Sequence, residues 1–192
     1  MTTQLGRLAK PVGTRDHIRG PMNALVTLLE YGDFECPYCG AAHPVIEHVR
    51  RVAGDDLRFV YRHFPLSNVH PHAERAAEAA EAADAQRRFW AMHDMLFEHQ
   101  HALDDDSLLA YAEALGLDVA RFGQELASGV HAARVREDFL SGVRSGVNGT
   151  PTFFIDEVRY DGPHDAASLL AVVGEAARAA RHAARAHLRQ ER

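Results

Sequence analysis

Two cysteines, Cys36 and Cys39, are the only ones in this 192-residue chain, and they stand close together in Phe34-Glu35-Cys36-Pro37-Tyr38-Cys39-Gly40. Before them runs Ala24–Tyr31, apolar at nearly every position; from Cys36 the pattern turns helical. A Cys-x-x-Cys pair at such a handover is a redox arrangement, because the spacing lets the sulfurs close a small ring across the first helical turn. The first cysteine then meets the positive end of a helix, where unpaired N–H groups and the dipole stabilise a thiolate. A thiol with a free pKa of ~8.5 can fall there to roughly 3.5–7.5. Cys36 is therefore the expected nucleophile.

The surrounding pattern is α/β. Residues 1–23 hold Pro11, Gly13, Gly20 and Pro21 among charged residues and read as an extended lead-in with a short edge strand at Leu8–Val12. The run from Ala24 suits a strand covered on both faces, with Glu30 as its exception. A carboxylate buried there is costly and has its pKa raised; the alternative is that Glu30 turns outward at a strand end. The helix from Cys36 carries Ala41, Ala42, Val45, Ile46 and Val49 near a 3.6-residue period, interrupted by Pro44. Leu57–Phe64 is a second strand, stopped by Pro65, which gives the strand–helix–strand crossover of a parallel pair.

From His72 to about Gly146 the reading is helical throughout. Ala76–Ala83 forms a helix with a charged face, and a second spans about Arg87–His99. Asp104–Ser107 caps Leu108–Leu115, Asp118 caps Val119–Ala127, and His131–Ser145 comes last. Phe89, Trp90, Met92, Leu96 and Phe97 read as packing rather than as a ligand surface. Beyond Pro151, Thr152–Ile155 and Val158–Tyr160 form a hairpin through Asp156-Glu157, and Asp165 opens a closing helix. Its Leu169–Val173 segment belongs to the core. Arg178, Arg181, Arg185, Arg189 and Arg192 then make a basic stripe, either solvated or facing an acidic partner or second subunit.

Further motifs accompany the cysteines in order. Glu30 precedes Cys36 by six residues, Pro44 follows Cys39 by five, Tyr61-Arg62-His63-Phe64-Pro65-Leu66 follows the second strand, Phe89–Phe97 lies among the helices, and Gly149-Thr150-Pro151-Thr152-Phe153-Phe154-Ile155 lies far downstream. Together they resemble the thioredoxin superfamily in its DsbA-like branch, over about Ala24 to Val173. The resemblance implies an α/β thioredoxin fold with an inserted all-helical subdomain. The lead-in is 1–23, the core 24–66 and 147–175, the insertion 67–146, and the basic helical extension 176–192. It implies a cis bond before Pro151, a Pro151 ring against the sulfurs, and a Thr150 backbone that pairs with an extended substrate. Glu30 would take the Cys39 proton through water, and Pro37 and Tyr38 would tune the pair.

The activity so implied is thiol:disulfide exchange on disulfide-containing proteins or small thiols, with a separate redox partner to recycle the pair. Strong oxidants of this branch carry His beside the second cysteine; Tyr38 stands there instead, as in glutaredoxins, whose potentials are about −200 to −230 mV. That points to a reductase or isomerase. No lysine near the second strand can partner Glu30, and Arg58 and Arg62 are the nearest basic residues. A binding or chaperone module with incidental or metal-holding thiols is the alternative. A glutathione-using enzyme of the kappa-type branch is a third reading, less favoured because those work without a cysteine pair.

A net charge of −6 argues against broad nucleic-acid or membrane-surface binding. With no long apolar run and no apolar signal core in Met1–Arg7, the chain reads as cytoplasmic. Cys36, Cys39 and His43 are the one metal constellation suggested, and two thiols fall short of a closed structural zinc site, so no metal or cofactor is expected. Monomer and homodimer remain open.

Overall fold

The apolar run after the lead-in becomes the centre of a mixed sheet. A computed structural model describes residues 6–190, with side chains through residue 186, and in it β2 (Val26–Gly32) is buried at every position. β2 pairs in parallel with β3 (Leu57–His63), Glu30 opposite Tyr61 and Gly32 opposite His63. On its other side it pairs antiparallel with β4 (Thr152–Ile155), and β5 (Val158–Tyr160) closes that edge. The far edge is β1 (His17–Arg19), antiparallel to β3, so the order is β1-β3-β2-β4-β5.

The early strand is therefore not at Leu8–Val12. Pro11 has no N–H for a ladder, and this segment instead crosses the sheet's second face. There Leu8 and Val12 pack beside Leu29, Val60 and Phe154. Arg7 alone makes an isolated bridge, to Val158.

The period-2 alternation of strands divides the side chains between two faces. Val26, Leu28, Phe59, Tyr61 and Phe153 join the larger cluster, under α1 (Pro37–Ala53) and α7 (Ala166–Gln190). Leu29, Tyr31, Val60 and Phe154 face the other way. Five helices lie between β3 and β4: α2 (Ala73–Asp84), α3 (Phe89–Glu98), α4 (Asp105–Ala114), α5 (Val119–Ser128) and α6 (Ala132–Arg144). Asp104 and Asp118 cap α4 and α5 by accepting from the backbone N–H groups of Ser107 and Arg121. The hairpin turn places Asp156 and Glu157 at φ of +46° and +70°, the left-handed pair that matches strand twist.

α2 does not present the charged face its sequence suggests. It is packed on all sides by other helices, and Glu78 and Glu81 are buried with its alanines. Glu81 is compensated: its Oε1 accepts from His17 Nε2 at 2.7 Å and His63 Nε2 at 2.9 Å. On the closing helix Arg181 pairs with Asp56, while Arg192 and the side chain of Arg189 lie outside the described residues.

One buried cation fixes the lead-in. Arg62, fully buried on the second face, donates to both carboxylate oxygens of Asp16 (2.7 and 3.0 Å), to the Lys10 and Pro11 carbonyls and to Tyr31 Oη. A buried charge that loses its counter-ion costs roughly 3–5 kcal/mol. Asp16→Ala should therefore lower the unfolding free energy by about that much in urea titration; a loss below about 1 kcal/mol would show that the carbonyls alone satisfy the guanidinium.

Candidate active site

The parallel pair delivers both cysteines to one end of the sheet. β2 ends at Gly32, and its extension turns through Asp33, whose carbonyl accepts from Cys36 N–H at 3.2 Å. Cys36 is the N-cap residue of α1, in extended conformation (φ −71°, ψ 121°), with Pro37 supplying the first turn without a wasted N–H. Both thiols are free, and Cys36 is only 3% exposed and Cys39 0%. Tyr38 between them is 74% exposed and flanks the entrance.

The sulfurs differ sharply in acidity. Cys36 falls to about 5: the Cys39 thiol donates to its sulfur, outweighing partial burial, and Thr150 and the backbone N–H groups of Cys39 and Tyr38 add to this. Thr150 lies against the sulfur. Its carbonyl lies 3.4 Å from Cys36 Sγ, where the thiol can donate. Its hydroxyl is buried without a hydrogen-bond partner, and the residue as a whole adds to the lowered pKa of Cys36. Cys39 moves the opposite way, well above the usual thiol range, because it is buried and next to both the Cys36 sulfur and Glu30.

Glu30 does not turn outward. It is buried on the α1 side of the sheet and raised to about 8, chiefly by burial, with the Cys36 charge adding to the rise and a hydrogen bond from Cys39 opposing it. A carboxyl neutral near pH 7 and next to the buried thiol is placed to exchange a proton with it. Neither arginine named from sequence reaches Glu30. Arg58 donates to Thr27 Oγ1 and the Met22 carbonyl, while Arg62 is on the opposite face. Its strand neighbour is the phenol of Tyr61.

The second wall of the site is the loop before β4. The Thr150–Pro151 peptide bond is cis, which is the backbone geometry observed beside Cys36. Several supporting residues carry no local signal in the sequence. Asp33 Oδ2 accepts from Leu66 N–H and His70 Nδ1, tying the loop after β3 to the site. Gln100, following α3, donates through Nε2 to the Phe34 and Cys36 carbonyls, and a Cβ at Gly40 would lie 2.0 Å from its Oε1. These partners are 33 to 66 residues apart in sequence, so only the fold joins them.

The suggested Cys36, Cys39 and His43 constellation does not form. His43 instead groups with His93 and Asp94. Among the described residues a second group with metal-ligand geometry is His17, His63 and Glu81, already joined by the hydrogen bonds that compensate Glu81.

Two measurements follow from these acidities. The ultraviolet absorbance of the Cys36 thiolate in the reduced protein should half-titrate near pH 5; a midpoint above pH 8 would mean the helix end does not stabilise it. Glu30, raised from 4.5 to about 8, stays neutral in the fold while it ionises in the unfolded chain, so it withdraws stability as pH rises between those values. Glu30→Gln should therefore gain on the parent by roughly 3 kcal/mol between pH 4 and pH 7 in urea titration of the reduced proteins. A pH-independent difference would contradict it.

Comparison with known proteins agrees with this geometry. A family profile described as thioredoxin matches residues 13–175. Similar solved structures include oxidised BdbD of Bacillus subtilis, with a TM-score of 0.80 and 18% identity over 90% of this chain and 98% of that one. A thioredoxin-like oxidoreductase of Silicibacter pomeroyi DSS-3 follows at 0.75 and 25%, covering 88% and 94%. α-DsbA1 of Wolbachia pipientis aligns at 0.76 and 19%, covering 90% and 96%. Among curated relatives, Na(+)/H(+) antiporter NhaA 3 of Salinispora tropica is 49% identical over 87% of this chain and 26% of its own length. Na(+)/H(+) antiporter NhaA 1 of Salinispora arenicola is 51% identical over 84% and 25%. The chain thus spans about a quarter of the length of these relatives. By its profile match and its architecture, the chain belongs to the thioredoxin family and is DsbA-like, with helices inserted between the two halves of the sheet.

Proposed function

We propose that the protein is a thiol:disulfide oxidoreductase acting as a reductase or isomerase on protein disulfides. The observation that carries this reading is the split acidity of the pair, with Cys36 near 5 and Cys39 driven upward beside Glu30. The Cys36 thiolate attacks a substrate disulfide; one substrate sulfur leaves as thiolate, and the other is held in a mixed disulfide. Glu30, once it has given up its own proton, takes that of Cys39, whose sulfur attacks Cys36 Sγ, closes the Cys36–Cys39 bond and expels the second substrate sulfur with the electron pair. Thr150 offers backbone to an extended substrate, and Pro151 forms the wall beside the sulfurs. Pro37 and Tyr38 set the environment between the thiols.

A Cys36 pKa near 5 lies between those of about 3.5 in a strong oxidant and about 7 in a strong reductant. Greater thiolate stability makes a better leaving group and a weaker reductant, so an intermediate potential is the expectation. In a reducing cytosol, the compartment we assign, the pair would be held as the dithiol.

A second reading concerns the target. The relatives named as Na(+)/H(+) antiporters contain a segment like this chain in about a quarter of their length. That favours a membrane antiporter as the partner whose thiols the pair controls. No helix among the described residues is long and apolar enough to cross a membrane.

Insulin reduction with dithiothreitol tests the chemistry: Cys36→Ser should lose nearly all acceleration, and equal precipitation by variant and parent would refute it. Cys39→Ser, unable to resolve its mixed disulfides, should retain covalently bound partners on non-reducing gels. A membrane antiporter among them would support the second reading, and exclusively soluble partners would remove it.

A further inference from the structure

The chemistry above leaves a proton on a carboxyl almost shut off from water: Glu30 is 3% exposed, and Cys39, its donor, is 0%. During turnover the substrate covers the Cys36 side. The proton needs another way out, and the orphaned polar atoms of the core mark one. Of the six buried side-chain atoms without a protein hydrogen-bond partner among the described residues, three are Glu30 Oε1, Tyr61 Oη and His63 Nδ1. They belong to one face of β2 and β3, since Glu30 faces Tyr61, Gly32 faces His63, and residues two apart along a strand share a face.

Gly32 brings the first two groups together. A Cβ built there would lie 2.5 Å from Tyr61 Cε2, 2.8 Å from Tyr61 Oη and 2.9 Å from Glu30 Oε1, so the absence of a side chain lets the phenol and the carboxyl approach each other. The Tyr61 and His63 rings follow, with centroids 5.5 Å apart and nearly perpendicular. Beyond His63 the contacts are direct. Its Nε2 meets Glu81 Oε1 at 2.9 Å, and the same oxygen meets His17 Nε2 at 2.7 Å. His17 and Glu81 line a surface cavity together with Asp16, Asp84 and Arg134.

Resting on Glu30 as the proton acceptor, we infer that Tyr61, His63 and Glu81 form a proton exit from the buried active site to this cavity, with water bridging the gaps on either side of the Tyr61 hydroxyl. Buried water settles where polar groups lack partners. Each member takes one proton and gives one. The Glu30 carboxyl passes its proton by water to Tyr61 Oη, the phenol releases its own toward His63 Nδ1, and the imidazole yields its Nε2 proton to Glu81, which hands it to water in the cavity. No electrons move, and each side chain ends in its starting charge state. Tyr61, His63 and Glu81 are positioning residues, for none touches the substrate sulfur.

The charged surroundings suit the two ends. Near Glu30 and Tyr61 are Cys36, Cys39 and Asp33; around His63 and Glu81 stand His17 from β1, Asp84 from α2, and Arg134 and Asp138 from α6. Tyr61 remains a neutral phenol, raised by burial and by the nearby Glu30, as a hydroxyl relay requires. Although burial opposes it, the hydrogen bonds from the two imidazoles leave Glu81 ionised, well below the usual carboxylate range, so the proton does not remain on it.

The test is the single-turnover rate at which Cys39 expels a small aromatic thiol from Cys36, followed from pH 5 to pH 9. Tyr61→Phe keeps the ring and removes only the hydroxyl; His63→Gln is the second variant. Each should slow expulsion about ten-fold at pH 7, against roughly 10²–10⁴-fold for general-acid–base groups in direct contact. The deficit should shrink toward pH 9, where Glu30 is already ionised and can receive the Cys39 proton without first exporting its own. The initial attack by Cys36 should keep its parental rate. If both variants match the parent at every pH while Glu30→Gln is slow, the exit is wrong and Glu30's role stands. If Glu30→Gln is also unimpaired, both fall. A deficit of equal size at all pH values marks a packing defect and overturns the relay.

Discussion

Everything at the active end depends on one ionised sulfur at the mouth of α1. Cys36 caps a helix whose first N–H groups have no internal partner, and it receives a further hydrogen bond from Cys39. The charge so favoured sets the acidity of its neighbours. With Cys36 ionised, a second thiolate or a carboxylate nearby is opposed by like charge, and burial adds to the effect. The pair is therefore asymmetric before any substrate arrives, one sulfur ready to attack and the other retained as thiol.

That asymmetry has opposite consequences for the fold. Ionisation of Cys36 stabilises the reduced protein increasingly as pH rises from about 5 toward the unfolded thiol's value near 9. Glu30, which stays protonated in the fold up to about 8, works against folding over much of the same interval. A buried acid with a raised pKa is a common mark of a functional site, because a group serving packing alone would be better replaced by an apolar one. The rest of the sheet supports this end by placing the large hydrophobes Leu28, Phe59 and Phe153 beneath α1.

The buried polar network beneath the site is assembled from elements far apart in the chain. Glu81, His17 and His63 come from α2, β1 and β3, and Arg62 ties β3 to the lead-in through Asp16. Such groups are costly unless paired, and six buried side-chain atoms among the described residues have no partner, three of them on the β2–β3 face. Those three stand out because they share one face and run from the acid beside Cys39 toward a cavity on another side of the molecule.

The pieces whose cause is local are legible along the chain. Cys36 and Cys39 at a strand-to-helix junction, the caps Asp104 and Asp118, the hairpin at Asp156-Glu157 and the parallel crossover each depend on neighbours within a few residues. Periodicity and cap chemistry can be read along the chain, because the groups that interact are also the groups that adjoin. The fate of each charge depends instead on how distant elements pack. The polar residues of α2 look solvent-facing by period alone, yet neighbouring helices bury Glu78 and Glu81, and His17 and His63 satisfy Glu81 from distant strands. The same holds for Tyr61 opposite Glu30, Gln100 on the Cys36 carbonyl, and the β1 strand at His17–Arg19. Each depends on a partner tens of residues away, and burial, which sets the energy of every charge, is a property of the assembled molecule alone.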